Sequence, residues 1–430
     1  MNTGSALLLA VGLFSVAAVV NARWPRQGPG LRTIIVSWFA AMLVVELALH
    51  LFVIGALLVL AEVVFVDALR GTAGWIGLCL WGVAVAVALP YGASSLRTRI
   101  DVDGTPDDLD VDGAPRLPWW QLAFPMVLGW RPDVYKERNR VFATVDGIRL
   151  KLDVVRARGS LDGPPRPAVI HVHGGVWLFG SRHEQGHPLL SHMAANGWVG
   201  FNVDYRLSPK ATMPEHVEDV KRAIAWVRDN ADELGVDPNF IALTGGSAGG
   251  HLTALAALTA NDVSLQPGFE GSDTSVQAAV PFYGVYGLAT AAEDYNQNLK
   301  HIVEKLVVKA SLEEEPEKFE RVSPLSRIGD CPVPPFFVVH GTGDTIVPVP
   351  ESRHFVSVLR KQSDEPVLYA EMPGGQHAFD SMTTWRSAPV IRAIERFLNA
   401  TYTAATESRA AGVDADTDRT ERKLEEALTD

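Results

Sequence analysis

Ser247 stands in Gly245-Gly246-Ser247-Ala248-Gly249-Gly250, between the apolar run Phe240-Ile241-Ala242-Leu243 and the helix-forming run His251–Leu258. A serine flanked by glycines, where a strand turns abruptly into a helix, is placed for nucleophilic attack. Such a turn holds the hydroxyl outward, and Gly245 and Gly249 remove the Cβ atoms that would clash where strand and helix cross. The helix N-terminus adds a positive dipole where an oxyanion forms. His173-Gly174-Gly175-Val176-Trp177 follows Val169-Ile170-His171-Val172. A paired-glycine loop there turns backbone N–H groups toward the serine, so Gly174 and Gly175, with the N–H of Ala248, are the expected oxyanion donors. Asp344 lies just past Phe336–Val339, in His340-Gly341-Thr342-Gly343-Asp344. His377 lies on the glycine-rich stretch Pro373-Gly374-Gly375-Gln376-His377 that follows Val367–Met372. Ser247, His377 and Asp344 are the expected nucleophile, general base and orienting acid. Asp330 and Asp380 are rival acids without that strand-end placement. His173 is expected to shape its loop, and His171 to be a satisfied core residue. His183, His187 and His192 cluster in sequence, but their spacing fits no ligand signature, so no metal or organic cofactor is expected.

These loops need a scaffold of alternating strands and helices. Val141–Val145, Asp146-Gly147 and Ile148–Val155 read as a hairpin. Strands follow at 167–172, 199–203, 240–243, 276–282, 335–339 and 367–371. Helices are expected over 214–234, 350–362 and 386–399. The alternation predicts a mostly parallel sheet covered by helices on both faces. It is broken over 285–330, which reads as a cap insertion. The polar, acid-rich 401–430 reads as a flexible tail.

The chain of 430 residues is 47% hydrophobic with formal net charge −12. The acidic balance argues against nucleic acid as a partner. Two cysteines, Cys79 and Cys331, provide no disulfide framework. Residues 1–95 hold three apolar runs: 5–20, 34–66 and about 73–93. No Lys or Arg precedes the first, so it is expected to be a retained helix and not a signal peptide, although Val20-Asn21-Ala22 resembles a cleavage site. The second run would be about 50 Å long as one helix, against ~30 Å of hydrocarbon. No proline and only Gly55 interrupt it, so one helix projecting from the bilayer is favoured over a tight hairpin. Glu46 and His50 lie one turn apart and are expected to glue helices together by a polar contact; an intramembrane functional pair is the alternative. Residues 96–130 combine an acidic linker, with Asp101, Asp103, Asp107, Asp108, Asp110 and Asp112, and the Trp-rich stretch Pro118–Trp130. That stretch is too short and proline-broken to span a membrane. It is expected to lie in the bilayer interface or, with 285–330, to roof the site as a lid. Arg23, Arg26 and Arg32 occupy the first loop and Arg97 and Arg99 follow the third run, whereas 67–74 carries only Arg70. Cytoplasmic loops collect Lys and Arg, so residues 131–400 are expected on the cytoplasmic face of a multi-pass cell-membrane protein.

The His-Gly-Gly-Val-Trp loop, Asp204-Tyr205-Arg206-Leu207-Ser208-Pro209, the GGSAGG turn, HGTGD and GGQHAF occur in one order. Together they resemble the hormone-sensitive-lipase-like and HGGxW carboxylesterases over about 140–400. The membrane-anchored plan resembles actinobacterial membrane-associated esterases. The resemblance implies an α/β-hydrolase fold and hydrolysis of a carboxylic ester, lipid-derived substrates included, by a serine esterase or lipase. Val176 stands where many lipase-like members have a third glycine, which leans toward the HGGxW branch. That branch includes arylformamidases, so an amidase, or an acyltransferase using the same triad, is the alternative.

Overall fold

The computed structural model describes every residue except 1, 27–29, 99, 105–115, 128, 162, 290–296 and 430, with backbone alone at 297–298 and over 412–429. Arg99, most of the acidic linker, and 290–296 of the insertion lie outside the described residues.

Four helices open the chain: α1 (Thr3–Arg23), α2 (Leu31–Glu46), α3 (Ala48–Phe65) and α4 (Thr72–Leu96). Of these, α1, α3 and α4 are long and apolar enough to cross a membrane. The helix α1 packs along α4 at a small-residue crossing, where a Cβ on Gly12 would stand 2.4 Å from the Gly77 carbonyl oxygen. At one end of this bundle the Ser5 hydroxyl donates to Ala68 O at 2.7 Å. At the other end the Asn21 amide donates to Ser37 O at 2.7 Å.

The 34–66 run is neither a single helix nor a hairpin. It breaks at Leu47, with φ −107° and ψ 18°. The break separates two environments. Most of α3 turns apolar side chains outward, Leu51, Phe52 and Leu57 among them. The α2 helix instead buries Ile34, Ser37, Ala41 and Met42, with Met42 meeting Met382 of the following domain.

That domain is built on one nine-stranded sheet in the order β1-β9-β8-β7-β6-β4-β5-β3-β2. Its strands are β1 (Val102–Asp103), β2 (Val134–Val145), β3 (Ile148–Ala157), β4 (Arg166–Val172), β5 (Val199–Val203), β6 (Val236–Gly246), β7 (Ala278–Phe282), β8 (Phe336–Gly341) and β9 (Val367–Met372). Strands β5, β4, β6, β7, β8 and β9 run parallel; β1, β2 and β3 join antiparallel at the edges. The expected hairpin is β2–β3, whose turn places Asp146 (φ 52°) and Gly147 (φ 76°) in the left-handed region. Strands β4, β5, β7 and β8 are buried almost throughout and mostly apolar, as cover on both faces requires.

A short helix, α5 (Trp119–Ala123), lies beside α3. The remaining helices are α6 (His187–Ala195), α7 (Glu215–Asp229), α8 (Ala231–Leu234), α9 (Ala248–Leu258), α10 (Gln297–Ile302), α11 (Pro316–Arg321), α12 (Val349–Gln362) and α13 (Ser387–Thr429), and they cover both faces of the sheet. The segment expected as a flexible tail continues α13. Its first turns are docked: Tyr402 packs on Phe240 at 5.0 Å between ring centroids, and Arg409 pairs with Asp237 at 2.8 Å.

Candidate active site

Parallel strands align their carboxyl ends, where α/β sheets bind ligands. Val172 pairs with Gly245, Gly246 with Phe282, and Gly341 with Met372, so the loops after β4, β6, β8 and β9 open on one edge. Ser247 forms the turn from β6 into α9 at φ 58° and ψ −120°, an unusual conformation for a residue with a side chain. A Cβ at Gly249 would stand 2.0 Å from Val172 O, which explains the glycine after the serine.

His377 Nδ1 lies 2.6 Å from Asp344 Oδ2. The other oxygen of Asp344 accepts from Ile346 N at 2.8 Å and Val347 N at 2.9 Å. Burial works against charge on this carboxyl, but the neighbouring His377 and His340 outweigh it and hold Asp344 well below the usual carboxylate range. The rival acids are engaged elsewhere. Asp380 accepts from the Tyr283 hydroxyl, and Asp330 pairs with Arg327 at the surface. Ser247, His377 and Tyr283 line one cavity of about 80 Å³ together with Gly175, Val176, Phe179, Gln185, Thr345 and Ile346.

The glycine loop is held by its histidine and its tryptophan. His173 Nδ1 donates to Gly174 O at 2.7 Å, and its ring stacks on Tyr205 at 4.5 Å. The Trp177 indole donates to His251 Nδ1 on α9 at 3.3 Å, and His251 Nε2 donates to Val322 O at 2.7 Å. Val176 and Trp177 carry φ of 53° and 58°, so a β-branched residue occupies a conformation that suits glycine. One expected oxyanion donor is already occupied: Gly174 N donates to the Gln185 side-chain oxygen at 2.8 Å. Gly175 lines the cavity, and the N–H of Ala248 opens α9 beside Ser247.

His171 is buried as expected but not satisfied. Neither ring nitrogen has a hydrogen-bond partner among the described residues, and burial pushes its pKa down to about 3. The other three histidines form no shared ligand set. His192 Nε2 meets Glu395 at 2.6 Å, His183 Nδ1 lies 3.6 Å from Asp153, and His187 Nδ1 is buried without a hydrogen-bond partner among the described residues.

The N-terminal helices enter the site, which sequence reasoning missed. Leu31, Ile34, Ile35 and Trp38 of α2 line the same cavity as Ser247. The Trp38 indole donates to His377 O at 3.2 Å, and the two rings meet edge-on at 5.8 Å. Glu46 does not pair with His50. Its carboxylate accepts from Gln376 N at 3.1 Å and from Arg386 Nε at 3.1 Å, with both side chains fully buried. His50 Nε2 instead meets Leu122 O at 2.7 Å. Among the described residues, none of the Trp-rich stretch lines the cavity, whereas the insertion does through Leu299 and Ile302. No spacing motif announced α2, because its partners are hundreds of residues away.

Residues 152–359 match the BD-FAE family model. The chain is similar to the esterase LipC of Mycobacterium tuberculosis, 43% identical over 296 residues, covering 69% of this chain and 72% of LipC. It is 48% identical over 236 residues to LipM of the same organism, a probable carboxylic ester hydrolase, covering 55% of this chain but 54% of LipM. The chain thus spans about half the length of that curated relative. Among solved structures, the thermophilic esterase Est2 of Thermogutta terrifontis superposes with a TM-score of 0.51 at 27% identity, covering 61% of this chain and 90% of Est2.

Proposed function

The chain belongs to the carboxylesterase family of α/β-hydrolases, and from that premise we propose that it hydrolyses carboxylic esters through an acyl-enzyme on Ser247. The observation that carries the reading is the convergence of Ser247 and His377 on one cavity, with Asp344 bonded to the far side of the imidazole. His377 takes the Ser247 proton as the serine oxygen bonds to the carbonyl carbon. Asp344 fixes the tautomer and stabilises the imidazolium. The carbonyl oxygen, now anionic, is met by the N–H groups of Gly175 and Ala248; Gly174 joins them once its bond to Gln185 is exchanged. The intermediate collapses, and the departing alkoxide takes the proton from His377. Water then repeats the cycle, giving its proton to His377 and releasing the acid.

A fluorophosphonate should label the wild-type protein on Ser247, and Ser247→Ala should lose both labelling and hydrolysis. His377→Ala or Asp344→Asn should lower kcat by about 10⁴-fold, as members of one catalytic unit. A Ser247→Ala protein with wild-type turnover would overturn the reading.

The same reading places the enzyme on a membrane through α1, α3 and α4. Trp119, Phe124 and Met126 support an interfacial role for the Trp-rich stretch: they are 74%, 63% and 66% exposed, beside the first turn of α3. The Trp119 and Phe124 rings so exposed suit the headgroup layer.

A further inference from the structure

We propose that α2 is part of the active site: its first two turns form the wall that sets acyl-chain length, and Trp38 and Glu46 position the His377 loop. The inference rests on the Ser247 acyl-enzyme reading. Two independent observations lead to it. The first is the cavity lining. Four α2 side chains, Leu31, Ile34, Ile35 and Trp38, face the same space as the serine and the imidazole. All four are apolar, so the group they receive is a hydrocarbon chain. At about 80 Å³ the space holds a handful of water-sized groups, which is a short acyl chain. A longer chain must displace α2 or run along it.

The second observation is the fastening of the loop. The peptide around His377 makes two bonds with α2: Trp38 Nε1 donates to His377 O, and Gln376 N donates to Glu46 Oε1. Gln376 in turn accepts from Thr345 N and from His377 N, both at 2.9 Å, tying the histidine loop to the acid loop. Glu46 is itself held by Arg386 at the start of α13. Trp38 and Glu46 are positioning residues: they act through the loop and not on the ester. An ordinary membrane anchor needs none of these contacts. Because α2 passes into the α3 span at Leu47, the helix that carries the acyl wall is joined to that span by one residue. An apolar chain therefore meets α2 from the membrane side, and the substrate class is an ester with an apolar acyl group taken from a membrane.

The full chain, in detergent or nanodiscs, is assayed with aryl esters from acetate to palmitate. Ile35→Trp should move the optimum to shorter chains and Trp38→Ala to longer ones. Each should change the ratio of kcat/KM for octanoate over acetate by about tenfold, mainly through KM for Ile35→Trp. Trp119→Ala removes an indole outside the cavity and should keep the wild-type ratio. A second measurement needs no variant: a short-chain phosphonate carrying a terminal diazirine, trapped on Ser247 and photolysed, should crosslink to residues 31–38. Unchanged ratios in both variants, or crosslinks that avoid α2 while Ser247 is labelled, would overturn the proposal and leave the nucleophile assignment standing. A wild-type protein that takes no label on Ser247 would overturn both.

Discussion

Replacing Trp177 by Phe keeps most of its buried volume but removes the N–H that His251 Nδ1 accepts. His251 is fully buried, so its nitrogen is left without a donor. The expected loss is about 1–3 kcal/mol, measured by urea unfolding of the full chain. Buried histidines also set a response to acid. Burial pushes His171 and His216 down to about 3, and His187 and His251 down to about 4. A histidine whose folded pKa is depressed contributes stability that is complete above the unfolded value of ~6.5 and falls as pH drops toward the folded value, because the unfolded chain binds the proton first. Each should cost about 1.4 kcal/mol per pH unit in that window. His171→Leu removes one such group without breaking a hydrogen bond. Its stability should therefore fall less steeply than wild type between pH 6.5 and 4.5; parallel curves would refute the assignment.

Among elements, α13 is longer than composition suggests, and Tyr402 carries the difference. Its ring meets Trp198 and Phe240 on the back of the sheet. Tyr402→Ala should lower stability by about 1–2 kcal/mol while leaving ester turnover unchanged, since the contact lies far from Ser247. The strands and the elbow were legible because their signals are local: apolar runs of strand length, glycines at a crossing, a serine between them. His377 and Asp344 were legible for the same reason, each on a loop just past a strand-like run. Tyr402 was not, because its value depends on Trp198 and Phe240 being brought beneath it. The break at Leu47 was equally hidden. Nothing in Val44–Leu51 punctuates a helix, and only the Glu46 bonds to Arg386 and Gln376 reveal why the two halves part. Gln185 was missed for a different reason: glutamine carries no signature, and its claim on Gly174 N is visible only in three dimensions.

For the whole molecule, the helix ends can be sorted by what they touch. The start of α1 meets the α3–α4 connection through Ser5 and Ala68. The end of α1, the start of α3 and the end of α4 lie toward the catalytic domain, with Asn21 on Ser37, His50 on Leu122 and Ser94 near Arg386. Arg23, Arg26, Arg32 and Arg97 therefore share the catalytic side, and Arg70 alone lies at the far end. By the preference of Lys and Arg for cytoplasmic loops, the catalytic domain should face the cytoplasm. Protease added to intact spheroplasts should leave it whole, and its digestion there would reverse the orientation. Leu47 has one more consequence. The α3 span of 18 residues is about 27 Å long, slightly under a typical hydrocarbon core. With no slack between it and α2, a change in bilayer thickness must tilt or pull the helix that walls the cavity. On the membrane-anchored reading proposed above, the enzyme is a gauge of its own membrane. In nanodiscs of increasing lipid chain length, the preferred acyl group of the substrate should drift even though no residue has changed.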